Sequence, residues 1–293
     1  MANERDAVTG DSAGRAAERD VLVRRVGAAI DGLVRAGYFS IDVEGAEHVP
    51  RTGPVLYAQN HAGWFALDTI ILGGAVARAV GVERTPYFAA HEAALRAPVV
   101  GPFLRRLGGL PASSFRNPER LPPEIESYGI CPEGVRGNTK PFWRAYRMRE
   151  WSRTFVKVAL VRGAPIVPVA ILGGEECLPV AWTVEVLKPL LGSVVGLPLV
   201  PIPLPTRWKI VFHPPVHAVP HGHRLRPDRD YTADVAREVQ GIVQATLDRE
   251  SPRRPLGKLA AAVSRLGRRA RANPGDADPL LAPDGAPGPA PAA

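Results

Sequence analysis

The sequence predicts an α/β protein, because short apolar runs alternate along it with stretches in which apolar residues recur at helical spacing. The chain has 293 residues, of which 45% are hydrophobic and 23% are charged. This balance is ordinary for a globular protein and argues against a wholly disordered chain. With two cysteines and no Gly-X-Y period, the disulfide-rich and collagen-like classes are excluded.

The first half of the chain begins with a helical pattern and continues with strands and helices. Apolar residues recur at helical spacing from Val21 to Val34, and Gly37 is a plausible C-cap for that helix. Further on, the pattern predicts strands at residues 38–43, 54–58 and 86–90 and helices at residues 68–79 and 98–107.

The second half of the chain continues the same alternation. The pattern predicts strands at residues 129–131, 165–172 and 208–212 and helices at residues 151–162 and 231–249. Gly163 is expected to end the helix at residues 151–162.

Composition divides the chain into four segments. Residues 1–18 are polar and are expected to form a disordered lead-in, and residues 19–250 carry the main domain. Residues 251–272 form a basic amphipathic segment, and residues 273–293 are a Pro/Ala/Gly tail that we expect to be disordered.

The net charge of +8 suits a nucleic acid, an anionic membrane or an anionic substrate. Almost all of the excess lies in residues 252–272, which hold seven basic residues and no acidic residue. The main domain is therefore nearly neutral, which argues against specific binding of nucleic acid. A basic amphipathic helix that lies on an anionic bilayer has this pattern, and a solvated terminal helix or a nonspecific polyanion binder is the alternative.

Two motifs that suggest other chemistry fail on their context. Residues 10–14 match the G-x-S-x-G elbow of serine hydrolases, but the elbow needs a strand before the serine and an apolar helix after it. Here the flanking residues are polar or charged. His221 and His223 suggest a metal site, but no cysteine or carboxylate cluster accompanies them, so a solvated loop is the better interpretation.

A third motif, residues 60–68, follows the apolar run at residues 54–58 and begins the next helix. α/β proteins usually place their catalytic and binding residues in the polar loop between the end of a strand and the N-terminus of the next helix. His61 is suited to proton transfer near neutral pH, and Asp68 could fix its tautomer by accepting a hydrogen bond. Asp68 could equally be the N-cap of its helix with His61 an incidental loop residue, and this segment alone leaves both interpretations open.

Two further motifs follow predicted strands. Residues 131–137 contain a Pro/Gly turn that could aim Glu133 and Arg136 at a site, although a plain turn with a surface ion pair would have the same sequence. Residues 163–174 form a buried strand that leads into a glycine turn and carry no ionisable side chain, so a purely structural role is favoured.

Together and in this order, these motifs resemble the glycerophospholipid acyltransferases of the 1-acyl-glycerol-3-phosphate acyltransferase type. Four segments resemble the four sequence blocks of that family: residues 60–68, 108–113, 132–136 and 166–169. The similarity covers roughly residues 38–215. It implies a single acyltransferase-type α/β domain, with a mixed β-sheet flanked by helices.

The resemblance also implies a mechanism and a set of site residues. His61 would be the general base and Asp68 would orient it, while the acceptor hydroxyl attacks the thioester of acyl-CoA or acyl carrier protein directly. No metal and no cofactor would take part, and Cys131 would be a buried thiol and not a nucleophile. The residues expected to bind substrate are Asn60, Glu133, Gly134, Arg136 and Arg116.

Two departures from the family pattern concern spacing and the acceptor. Six residues separate His61 from Asp68 where four are usual, which resembles a branch with small residues after the histidine, here Ala62 and Gly63. The basic residues that bind the acceptor phosphate in lysophosphatidate-type members are replaced by His91 and by Ala112-Ser113. A neutral glycerolipid is therefore an alternative acceptor to lysophosphatidate.

The sequence also predicts where the protein is located in the cell. Two cysteines and a charged N-terminal stretch without an apolar core indicate a cytoplasmic protein. Because the resemblance implies lipid substrates, we expect it to be peripheral on the inner face of the cell membrane. The apolar, proline-broken segment at residues 189–205 could enter the membrane interface or line an acyl tunnel. A catalytically silent lipid- or acyl-carrier-binding protein on the same fold is the main alternative to an enzyme.

Overall fold

The computed structural model describes residues 2–61, 66–184, 195–219 and 229–272, and a seven-stranded mixed sheet forms its centre. The described strands are β1 (Phe39–Glu44), β2 (Val55–Gln59), β3 (Tyr87–Ala90), β4 (Gly109–Pro111), β5 (Ser127–Ile130), β6 (Ile166–Leu172), β7 (Val180–Val184), β8 (Val195–Pro198) and β9 (Thr206–Phe212). The described helices are α1 (Ala2–Arg35), α2 (Leu67–Val80), α3 (Glu92–Arg96), α4 (Val100–Arg106), α5 (Val135–Asn138), α6 (Thr154–Arg162), α7 (Gly174–Cys177), α8 (Arg229–Glu250) and α9 (Pro255–Ala272).

The strand order of the large sheet is β1-β9-β6-β2-β5-β3-β4, and β7 and β8 form a separate antiparallel hairpin. From β6 to β4 all neighbouring strands are parallel. Strand β9 is antiparallel to β6 and parallel to β1, so these two strands run opposite to the rest. The parallel strands therefore end at one shared edge, with β2 near the middle of the sheet.

The sheet is covered on both faces, as the fully buried strands β2 and β6 require. Alternate residues of β2 point to opposite faces: Leu56 packs with α6 and α8 in one core, and Tyr57 packs with α2 in the other. A third, smaller core lies under α3 and α4, near the β3–β4 edge. Because β2 is buried on both faces, the position of the residues that follow it is fixed by packing.

The strands and helices expected within the main domain are present. Their bounds differ by at most three residues, except that α1 begins at Ala2, and the basic segment forms α9. The sequence analysis missed β4, the β7–β8 hairpin and the short helices α3, α5 and α7. These elements have only three to five residues each, too few to show a periodic pattern.

Helix α1 differs from the expected lead-in, because residues 2–18 are helical instead of irregular. Alanine and charged residues, which favour helices, are common there. Arg19 holds this helix to the sheet: its Nε donates to Leu107 O (3.2 Å) and its Nη2 donates to Thr85 O (2.7 Å). Its guanidinium also stacks on Tyr87, 4.0 Å from the ring centroid.

The segments at residues 62–65, 185–194, 220–228 and 273–293 lie outside the described residues, and with them the expected C-terminal tail and the His221/His223 loop.

Replacing Arg19 with alanine is expected to lower the free energy of unfolding by about 2–3 kcal/mol, because buried carbonyl groups lose a charged donor. Arg24→Ala on the exposed face of the same helix is the matched control and should change stability by less than about 0.5 kcal/mol. Urea denaturation followed by circular dichroism measures both. Equal stability of the two variants would show that Arg19 does not anchor α1.

Candidate active site

The candidate active site lies where β2 and β5 end side by side. His61 follows the end of β2, and Cys131 and Glu133 follow the end of β5. The two strands are parallel neighbours with Ala58 opposite Ile130, so the segments that follow them meet at one edge of the sheet. The structure therefore brings together two of the motifs that the sequence analysis singled out.

His61 and Asp68 form a hydrogen-bonded pair, with 2.7 Å between His61 Nδ1 and Asp68 Oδ2. A carboxylate only accepts, so Nδ1–H donates and Nε2 keeps the lone pair that can take a proton. The Asp68 side chain is fully buried and the His61 side chain is 14% exposed. The six-residue separation therefore allows the pair to form; Ala62 and Gly63, expected to ease the longer loop, lie outside the described residues.

Asp68 is in the first turn of α2 and is not its N-cap, which corrects one of the two expectations for this residue. Helix α2 begins at Leu67, and Ala66 precedes it with a left-handed backbone at φ 57°. Asp68 Oδ1 accepts from the backbone N–H of Thr69 at 2.7 Å. One carboxylate oxygen is thus held by the helix while the other holds His61.

The pKa of His61 lies well above its usual value of 6.5. Burial lowers this pKa, but the nearby thiol of Cys131 and the carboxylate of Asp68 raise it by more, through charge and hydrogen bonding. The imidazolium form is therefore stabilised at this position. A base that must hold a proton during a reaction gains from such an environment.

Glu133, which is expected to bind substrate, contacts the backbone of His61 in this structure. Its side chain is fully buried, and Oε1 accepts from the backbone N–H of His61 at 3.0 Å. Oε2 accepts from the backbone N–H of Arg149 at 2.8 Å and lies 3.3 Å from Lys140 Nζ. Both oxygens of Glu133 thus have protein partners, and one of them holds the backbone of the histidine loop.

Asn60 is also committed to the fold rather than to a substrate. Its Nδ2 donates to Ile171 O (2.9 Å), and its Oδ1 accepts from Ile171 N–H (2.7 Å). This two-way bond ties the residue before His61 to strand β6. The expected substrate contact of Asn60 stays a prediction, and the bonds that the structure shows for its side chain are structural.

The other expected binding residues are exposed. Gly134 has φ 62° and turns the chain into α5, which carries Arg136 on the exposed surface one turn after Glu133. Arg116 ends a 3-10 helix after β4, three strands away from β2. At about 4.8 Å per strand, that is roughly 14 Å along the sheet edge. Arg136 is thus near the histidine pair, whereas Arg116 is displaced toward the edge of the sheet.

Sequence reasoning missed the polar residues that pack around the pair. Gln59 Nε2 donates to Thr69 Oγ1 (3.1 Å) and to Cys131 Sγ (3.2 Å). Cys131 is partly exposed, not buried as expected. The sequence indicates Gln59 and Thr69 only through their position, since they adjoin the motif at residues 60–68.

The ligand atoms of His61, Asp68 and Cys131 lie within 4.8 Å of one another, which meets the spacing of a metal site. Among the described residues, these are the three side chains whose ligand atoms lie close enough together to hold a metal ion. Both oxygens of Asp68 already accept hydrogen bonds, from His61 and from Thr69. The donor set therefore favours a proton-transfer pair over a metal centre.

Gly137 allows α5 to pack under the histidine loop. A Cβ at this position would lie 2.7 Å from the Cβ atoms of both His61 and Glu133. Contacts that short do not occur between real side chains, so glycine permits the close approach of the two motifs.

Comparison with known proteins agrees with this site. Residues 40–172 match the family model described as Acyltransferase, and this stretch contains His61, Asp68 and Glu133. This stretch of the chain therefore resembles an acyltransferase domain. The acyltransferase resemblance that the sequence predicts is confirmed, and so is the single α/β domain with a mixed sheet.

A solved structure shares the fold. The crystal structure of the 1-acyl-sn-glycerophosphate (LPA) acyltransferase PlsC from Thermotoga maritima superposes with a TM-score of 0.53. The match covers 79% of this chain and 80% of that chain at 18% sequence identity, which establishes a common fold.

Curated relatives include uncharacterised proteins of Mycobacterium tuberculosis and Mycobacterium leprae. Both relatives are 32% identical to this chain, over 226 and 223 residues respectively, and each match covers 72% of this chain. The match spans 62% and 60% of the two relatives' own length.

Replacing Asp68 with asparagine is expected to lower the pKa of His61, because a neutral amide no longer stabilises the imidazolium. A histidine with a raised pKa keeps its proton to higher pH, so the variant should deprotonate at lower pH than the wild type. Titration of the His61 ring by NMR measures the shift. Asp42→Asn on the exposed face of β1 is the control and should leave it unchanged. An unaltered pKa in Asp68→Asn would contradict the assigned pair.

Proposed function

We propose that this protein transfers a fatty acyl group from a thioester donor, acyl-CoA or acyl carrier protein, to a hydroxyl of a glycerolipid. The observation that carries the proposal is the 2.7 Å bond between His61 Nδ1 and buried Asp68, with the imidazole partly exposed. The acyltransferase-family match over the same residues and the fold shared with PlsC support it.

In the proposed mechanism His61 is the general base. Its Nε2 takes the proton of the acceptor hydroxyl while the hydroxyl oxygen attacks the thioester carbonyl. Asp68 orients the ring and stabilises the imidazolium that forms. The tetrahedral intermediate then collapses, the C–S bond breaks, and the imidazolium returns the proton to the leaving thiolate. The balance is one ester formed for one thioester consumed, without metal or cofactor.

Lysophosphatidate is the proposed acceptor, and a neutral glycerolipid is the alternative. Exposed Arg136, one turn after Glu133, is placed to meet a phosphate near the site. The alternative is favoured by the residues after β4, since Ala112 and Ser113 supply no cation and Arg116 lies near the edge of the sheet. A phosphorylated acceptor therefore depends on Arg136 in this proposal.

The activity is tested by incubating the purified full-length protein with labelled palmitoyl-CoA or palmitoyl carrier protein. The acceptors are lysophosphatidate, glycerol 3-phosphate and diacylglycerol, and the products are separated by thin-layer chromatography. We expect a labelled ester whose formation falls at least about 10³-fold in His61→Ala, because the general base is lost. His217→Ala removes an exposed imidazole and is the matched control, with unchanged rate.

Full turnover by His61→Ala would contradict the mechanism. Binding of the donor without any product from folded wild-type protein would favour the catalytically silent lipid-binding alternative. Label in the diacylglycerol reaction alone would favour the neutral acceptor.

We also propose that the protein works as a peripheral protein on the cytoplasmic face of an anionic membrane. Within the described ranges, none of the helices has the length and the apolar character needed to cross a bilayer. An exposed apolar surface supports contact with lipid. This β7–β8 surface comprises Trp182, Leu197, Leu199 and Ile202, with Trp182 and Ile202 more than 60% exposed.

Charge next to the β7–β8 surface suits an anionic bilayer. Trp182 and Leu197 are cross-strand partners on one hairpin, which follows directly after α7. Arg254 Nη1 binds Glu176 Oε2 of α7 at 2.6 Å and thereby holds the start of α9 beside that helix. Lys258, Leu259 and Arg265 are exposed along α9. An apolar hairpin beside a basic helix is the composition expected of an interfacial anchor.

Of the apolar segment expected at residues 189–205, residues 195–205 are described, and Leu197, Leu199 and Ile202 belong to it.

Trp182→Ala combined with Ile202→Ala is expected to weaken binding to phosphatidylglycerol/phosphatidylcholine vesicles by at least about tenfold, since two apolar side chains leave the interface. Val161→Ala, which trims an exposed apolar residue on α6, is the control and should bind as the wild type. Vesicle sedimentation measures both. Equal binding of all three proteins would show that the β7–β8 surface does not contact lipid.

A further inference from the structure

A buried lysine links the two segments that flank the catalytic loop. Lys140 follows α5, its side chain is 1% exposed, and its Nζ lies 3.3 Å from Glu133 Oε2 and 3.2 Å from Glu175 Oε1. Glu133 follows β5, and Glu175 lies in α7 after β6. Strands β5 and β6 are the two neighbours of β2, which leads into His61. The lysine therefore bridges across the end of the strand that carries the histidine.

Backbone hydrogen bonds tie this bridge to the chain around it. Glu133 Oε1 accepts from His61 N–H at 3.0 Å, and Glu133 Oε2 accepts from Arg149 N–H at 2.8 Å. Glu175 Oε2 accepts from Tyr146 N–H at 2.9 Å. The three side chains thus connect the backbone of His61 to the segment at residues 146–149.

Electrostatics keep the lysine charged. Burial lowers the pKa of Lys140, but Glu133 and Glu175 raise it by more, so its pKa lies above the usual value. Burial raises the pKa of Glu175, which Lys140 opposes. Without the ammonium group, Glu133 would be a buried carboxylate with backbone partners alone.

A contribution to the stability of the fold does not by itself explain the arrangement of Lys140, Glu133 and Glu175. A buried ion pair often contributes no more to stability than well-packed apolar side chains of the same volume, because desolvation of the charges offsets their attraction. The charges also orient the side chains, since Lys140 holds Glu133 Oε2 while Oε1 accepts from the His61 N–H. A rotated Glu133 would lose that contact.

We propose that Lys140 and Glu175 are positioning residues for acyl transfer. This role rests on the proposed function of the site: Lys140 holds the Glu133 side chain in its orientation, so that Glu133 fixes the backbone of His61. Glu175 holds Lys140 from the opposite side. Neither residue contacts the substrate, and both act through the position of the imidazole.

The test combines kinetics with amide exchange in the full-length protein. In Lys140→Met, we expect kcat to fall about tenfold to a hundredfold while KM for palmitoyl-CoA stays within about threefold, because a displaced base affects the chemical step. Hydrogen exchange of the His61 amide, followed by NMR without substrate, should accelerate at least tenfold. The matched control is Lys209→Met, since Lys209 also bridges two glutamates, Glu44 and Glu250, outside this site. It should change neither quantity.

A second variant covers the case in which Lys140→Met does not fold. Lys140→Met combined with Glu175→Gln removes one charge of each sign, so the three positions keep the same sum of formal charges. We expect this protein to fold and to show the same fall in kcat and the same faster exchange at His61.

Wild-type kcat and wild-type His61 exchange in either folded variant would overturn the proposal. Failure of both variants to fold would also overturn it, because the network would then serve folding and not positioning. Absence of acyl transfer by the wild type would instead reject the proposed function, and the exchange rates would still decide the contact between Glu133 and His61.

Discussion

The arrangement of this site depends on one hydrogen bond, from His61 Nδ1 to the fully buried carboxylate of Asp68. An isolated buried carboxylate is costly, so Asp68 requires the donors supplied by His61 and by the backbone of Thr69. In return the carboxylate fixes the tautomer of the imidazole and raises its pKa. The left-handed turn at Ala66 and the first turn of α2 serve to bring these two side chains together.

A parallel sheet brings residues distant in sequence to the same edge. Strands β5, β2 and β6 are neighbours, and the residues after them supply Glu133, His61 and Glu175. Lys140 lies between the two glutamates, and Gly137 leaves room for the side chains of His61 and Glu133. The site is thus a set of buried charges held between loops, with the imidazole of His61 at the margin between protein and solvent.

Much of the fold and the central pair could be predicted from sequence, whereas their supports could not. Long apolar strands such as β6 and amphipathic helices such as α8 have periodic patterns that identify them, and the His61-to-Asp68 motif is local. The hydrogen-bond partners of Glu133 and Asn60 could not be predicted, because burial and partner choice arise only when β2, β5 and β6 align. Lys140 gave no signal, since its partners Glu133 and Glu175 are 7 and 35 residues away along the chain. Short elements such as β4 lack enough residues for a pattern.

The central claim is that His61, held by Asp68, is the base for acyl transfer. The most direct measurement compares the pH dependence of kcat/KM for acyl transfer with the pKa of His61 obtained by NMR in the free protein. The account predicts that the rate rises with pH as His61 loses its proton, with a midpoint equal to the NMR value and above 6.5. A rate that does not follow the ionisation of His61 would contradict it.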